Sequence, residues 1–104
     1  MRSTDCLPME ALARAAATLR VLAHPDRLRI VELLLAGPRN VSQLTETLEL
    51  APNAVSQHLN FMKAHGILSS SRKGRSVYYR VVHPHARTVL GCIRRHASKQ
   101  EASR

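Results

Sequence analysis

A mainly α fold (α+β) of about five helices with one β-hairpin is predicted from two observations. Apolar residues recur at steps of three and four along most of the chain, and over residues 76–81 that period drops to two. Size agrees with this: 104 residues make one small domain, and 44% apolar content suffices for a modest core. The expected organisation is a flexible N-terminal arm over 1–8, a folded domain over 9–98 and a frayed polar tail over 99–104.

Each element has its own signal. Met9, Leu12, Ala16 and Leu19 share one face of a first helix. Pro25 after His24 suits the first turn of a second helix, whose apolar face uses Leu28, Val31, Leu34 and Leu35 before Gly37-Pro38 ends it. Asn40 followed three residues later by Gln43 reads as the cap of a short helix carrying Val41, Leu44 and Leu48. After a turn over 49–51, Pro52 opens a fourth helix with Val55, Leu59 and Met62 that closes at His65-Gly66. Short helix, turn, long helix is the helix-turn-helix order. Val77, Tyr79 and Val81 then alternate with Ser76, Tyr78 and Arg80, and residues 67–72 pair back across Lys73-Gly74 as a hairpin. From Pro84 the helical period returns, placing His85, Val89, Cys92, His96 and Lys99 along one seam.

Charge points to the partner. Sixteen Lys+Arg against 7 Asp+Glu give a formal charge of +9, a field that favours a polyanion. With no Trp, one Phe and two Tyr, the chain is poor in the rings that stack single-stranded bases, so double-stranded DNA is the expected partner. The second helix of a helix-turn-helix presents its N-terminal half to the major groove, where Asn53, Ser56, Gln57 and Asn60 stand, and Asn or Gln can engage adenine through two bonds. Arg72, Lys73 and Arg75 surround Gly74 at the hairpin tip, as a wing presents them to phosphates or a minor groove. Singly, each cluster is as well explained by a solvated surface; in this order on a basic chain they point to DNA.

Other classes find less support. Ser56 and His58 are two apart on a helix and face different ways, and no Gly-rich phosphate loop, His-Glu zinc motif or carboxylate pair is present, so an enzyme is not expected. A winged helix that binds a protein instead of DNA is the rival reading, and the basic hairpin speaks against it. No apolar run approaches the ~20 residues of a membrane span. Two distant cysteines suit reduced thiols, so no membrane partner and a cytoplasmic location are expected.

The run Leu22-Ala23-His24-Pro25-Asp26-Arg27-Leu28-Arg29-Ile30 resembles the opening of the second helix in ArsR/SmtB-type repressors. Val55-Ser56-Gln57-His58-Leu59 is similar to their recognition helix, which adds His58 to the DNA-binding residues. Gly66-Ile67-Leu68, Arg72-Lys73-Gly74-Arg75 and Val77-Tyr78-Tyr79 resemble their wing. Covering about residues 10–98, the resemblance implies a homodimeric winged helix-turn-helix repressor joined through its first and last helices and released from DNA by an inducer. Ala51 and Asn53 depart from the serines common at those positions.

The inducer is the open question. His85 and His96 face the same way on the last helix but stand ~16 Å apart, so one helix cannot make them co-ligands. Two last helices crossing antiparallel near Leu90-Gly91 bring His85 of one chain to His96 of the other, and imidazoles suit zinc, nickel or cobalt. Family members that sense these metals carry Asp-x-His at the start of the last helix, a His eleven residues on, and Glu or His three further. His83-Pro84-His85 and His96 fall on that pattern, with His83 for Asp and Lys99 for the fourth ligand. Interface histidines without a metal are the alternative. A second family site, Cys-x-Cys in the short helix, has no counterpart in Val41-Ser42-Gln43-Leu44-Thr45-Glu46, and Glu32 stands near the cysteine of thiol sensors. Cys6 and Cys92, both in segments assigned to the dimer interface, leave a redox switch as a further alternative to structural thiols.

Overall fold

The computed structural model describes residues 6–102, with side chains described from Cys6 to Ser98. Five helices and one hairpin follow in the order α1 (Met9–Leu22), α2 (Pro25–Leu35), α3 (Val41–Leu48), α4 (Pro52–Ala64), β1 (Leu68–Lys73), β2 (Ser76–Val81) and α5 (Pro84–Ala102). The expected arm is described from Cys6 on. Of the tail expected over 99–104, the backbone of 99–102 continues α5, and 103–104 lie outside the described residues. Among the described residues, no helix is long and apolar enough to cross a membrane.

Local chemistry sets the helix ends. Asn40 and Gln43 form a reciprocal capping box: Gln43 N–H donates to Asn40 Oδ1 at 2.8 Å, and Asn40 N–H donates to Gln43 Oε1 at 2.9 Å. Glu49 closes α3 in the left-handed region at φ 57, which frees the chain to turn into Pro52. Ala51, the cap position of α4, offers no side-chain hydrogen bond, as its methyl group dictates.

The core gathers under the helix-turn-helix. Ile30, Val31, Leu44, Val55, Leu59, Met62 and Ile67 are fully buried, joined by Leu22, Leu34, Leu68, Tyr79, Ala86 and Leu90. Three buried positions on α4 at steps of four and three lock the longer helix of the motif onto α2 and α3. The stripe on α1 behaves otherwise: Met9, Leu12 and Leu19 are exposed, and only Val21 and Leu22 at its end are buried. On α5, Ala86 and Leu90 pack inward, while His85, Cys92 and His96 lie on exposed positions.

The hairpin pairs antiparallel from Leu68↔Val81 to Lys73↔Ser76. Its turn is therefore Gly74-Arg75, one residue beyond the Lys73-Gly74 expected. The shift has a steric reason: Gly74 sits at φ 62 and Arg75 does not share that region, the pattern of a II′ turn with glycine at its first central position. On its other side β2 meets the α2–α3 connection through an antiparallel bridge between Arg39 and Tyr79.

Candidate nucleic-acid interface

Helix α4 is amphipathic, with Phe61 as its one large apolar side chain on the exposed side. Val55, Leu59 and Met62 are buried, whereas Asn53, Gln57 and Asn60 are exposed and Ser56 is half-buried. Pro52 at the first turn fixes where this row begins. Amide side chains that have no partner among the described hydrogen bonds project from a helix held rigid from behind, the arrangement that base-edge recognition requires.

The wing stands beside it. Arg72, Lys73 and Arg75 are exposed around the Gly74 turn. Lys63, near the end of α4, donates to Ser70 Oγ of β1 at 2.7 Å, and Arg80 Nε donates across the hairpin to Ser69 Oγ at 3.1 Å. These bonds hold helix and hairpin as one body that carries charge of one sign.

His58 departs from the exposed row. Its ring lies against that of His24, with centroids 4.7 Å apart, and one ligand atom each of His24, Asp26 and His58 falls within 4.8 Å of the others. Burial, then the electrostatic influence of His24 and Arg27, holds the His58 imidazole below its ordinary pKa, and Asp26 opposes them. Sequence reasoning grouped His58 with the DNA-reading residues and used His24-Pro25-Asp26 only as a helix start. Both imidazole Nδ1 atoms that follow a similar His-Pro pattern serve as helix caps: Asp26 N–H donates to His24 at 3.1 Å and His85 N–H donates to His83 at 3.1 Å.

At the start of α5 the rings of His83 and His85 are 5.3 Å apart. Both border the groove between α1 and α5, together with Ala15 and Thr18. His96 lies farther along α5 and is exposed, so one chain does not assemble the three histidines. Lys99 lies outside the residues whose side chains are described. Cys6 and Cys92 are both exposed, ahead of α1 and on α5. Glu32, near the position of the thiol in thiol sensors, is paired with Arg29 and with Arg94 of α5, the latter at 3.1 Å.

Known proteins share this architecture. Residues 24–70 match the family model described as bacterial regulatory protein, arsR family. The HTH-type transcriptional repressor SmtB of Mycobacterium tuberculosis is 40% identical over 87 residues, which cover 83% of this chain and 64% of that protein, less than two thirds of its length. The HTH-type transcriptional regulator NmtR of the same species is 36% identical over 89 residues, covering 86% of this chain and 74% of NmtR. The solved structure of reduced HlyU from Vibrio cholerae aligns with a TM-score of 0.79 at 26% identity, over 84% of this chain and 92% of that one. Matching in helix order, in wing and in sequence across most of its length, the chain belongs to the arsR family of bacterial regulatory proteins.

Proposed function

We propose that this chain is a DNA-binding transcriptional repressor that acts as a homodimer on an inverted-repeat operator and lets go when an inducer binds. One observation carries the DNA reading: the exposed row Asn53, Gln57 and Asn60 on α4 stands on a buried apolar base and is flanked by the basic tip Arg72, Lys73 and Arg75. The amides read bases and the cations anchor phosphates. The names of SmtB and NmtR, a transcriptional repressor and a transcriptional regulator, support the same reading. The bare stripe of α1, with Met9 75%, Leu12 42% and Leu19 52% exposed, supports pairing through α1 and α5. A two-fold axis then sets the two α4 helices about one helical turn of DNA apart, ~34–36 Å.

For the inducer, the reading is a divalent transition metal, zinc, nickel or cobalt, shared by the last helices of the two protomers. His85 of one protomer and His96 of the other would hold it, and the ion would supply fixed coordination at the dimer seam. His83 fits less well than the Asp it replaces. A carboxylate can cap with one oxygen and ligate with the other, whereas the His83 ring accepts the cap bond at Nδ1 and has to give it up to ligate.

An electrophoretic shift tests the DNA reading, and adding zinc, nickel or cobalt to the preformed complex tests the inducer, since a complex that no metal releases overturns it. The dimer should prefer an inverted repeat to scrambled duplex and lose both complexes as salt rises. Equal affinity for the two sequences overturns the operator reading, and no shift on either leaves the winged helix as a protein-binding module.

A further inference from the structure

DNA reading leaves one cluster of ligand-type side chains unused, and it lies behind the recognition helix. His24 caps α2, Asp26 occupies its first turn, and His58 reaches across from the middle of α4. All three are half-buried, and one ligand atom of each lies within 4.8 Å of the other two. Two imidazoles and a carboxylate suit zinc, cobalt or nickel, and three protein ligands leave a fourth position for water. Bonds of about 2.0–2.2 Å in a tetrahedral shell set donor atoms roughly 3.3–3.6 Å apart. Closing the remaining gap takes side-chain rotation at three residues whose backbones are already held, Asp26 and His58 within α2 and α4 and His24 by its backbone bonds to Leu22 and Leu28. Arg27 is the neighbouring cation that opposes an ion here, and its guanidinium rests over the Phe61 ring, 4.6 Å from its centroid.

We propose that His24, Asp26 and His58 bind one divalent transition-metal ion per protomer, and that binding converts His24 from a helix cap into a ligand. The conversion follows from lone-pair counting. A neutral imidazole that accepts a hydrogen bond at Nδ1 carries its proton on Nε2 and has no second lone pair. His24 accepts from Asp26 N–H at Nδ1, so it ligates only by surrendering the cap: the ion replaces the N–H at Nδ1, or the tautomer switches and Nε2 binds. Without metal α2 is capped and α4 is held by packing; with metal α2 loses its cap and α4 is tied to it through a coordinate bond. Gln57 neighbours His58 in the chain, so the tie acts on the helix that reads DNA. The site is complete within one chain, which separates it from the one between last helices.

Cobalt(II) is the probe for uptake and zinc(II) for the ¹⁵N spectra, each added alone to the full chain carrying His85→Ala and His96→Ala so that the donors between last helices are gone. The expected result is uptake of one ion per protomer with the visible bands of a four-coordinate site, together with a changed His24 imidazole ¹⁵N spectrum when diamagnetic zinc(II) is bound: a shifted Nδ1 signal if the ion takes that nitrogen, the other tautomer if it takes Nε2. In the same background Asp26→Asn, which keeps the cap-donating backbone N–H, should weaken uptake by more than about tenfold, the lower end of what even outer-shell partners cost. His58→Gln should do the same. Absence of uptake, or uptake unchanged by Asp26→Asn, overturns the site; uptake with an unchanged His24 spectrum overturns the conversion. None of these outcomes depends on DNA binding, so failure here and failure in the shift assay are separate results.

Discussion

Arg39 and Tyr79 exchange both backbone hydrogen bonds, Arg39 N–H to Tyr79 O at 3.2 Å and Tyr79 N–H to Arg39 O at 2.9 Å. The bridge gives β2 a partner on each side and fixes the base of the wing to the α2–α3 connection. Tyr79 is also buried in the core, so Tyr79→Ala should cost about 3 kcal/mol, the scale of large aromatic truncations, measured by urea denaturation. Arg75→Ala, at the exposed tip, should stay within about 0.5 kcal/mol of the parent. Equal destabilisation by the two would mean that the wing is not anchored at its base.

Reading and anchoring should separate in DNA titrations. Gln57→Ala is expected to weaken the specific site by about 1–3 kcal/mol and to leave scrambled duplex unaffected. Arg75→Ala should weaken all duplexes alike and reduce the salt slope by about one phosphate contact. Identical behaviour of the two variants would show the division to be wrong.

The α1 stripe gives a test of assembly that spares the fold. Leu19 is 52% exposed in the single chain, so Leu19→Glu should leave the helical circular dichroism unchanged. In sedimentation velocity the same variant should run as a monomer, and it should lose preference for the inverted repeat. A dimer that persists would move the interface away from α1.

Acid should weaken the fold through His58. Because burial, then His24 and Arg27, depress its pKa in the folded chain against the pull of Asp26, the unfolded chain takes up the proton first as pH falls. Stability should therefore be independent of this ring above the ordinary imidazole value of about 6.5 and decline below it, levelling off beneath the folded-state pKa. Urea midpoints at about pH 7.5 and 5.5 check this: His58→Gln should show a smaller fall than the parent.

Local signals were legible in the sequence wherever one residue type has a single good use. Asn40 with Gln43 gave the capping box, Pro52 the start of α4, and the change of period the hairpin. Side chains with two good uses were harder. Met9, Leu12 and Leu19 look like core by spacing, yet the chain alone leaves them exposed, because periodicity reports an apolar face and not what covers it. The grouping of His24 and Asp26 with His58 was invisible for another reason. It exists only through the packing of α2 against α4, and no spacing within either helix encodes it.

Tyr78 and Tyr79 sit side by side on β2, and the chain has no Trp. Its tyrosine emission therefore originates in the wing alone, one ring buried at the base and its neighbour half-buried on the opposite face of the strand. The protein carries its own optical reporter, placed where DNA would dock. Titration with unlabelled duplex can be followed without dye or engineered tryptophan, and quenching of that emission, once the duplex's own absorbance is subtracted with a free-tyrosine control, reports a change at the hairpin.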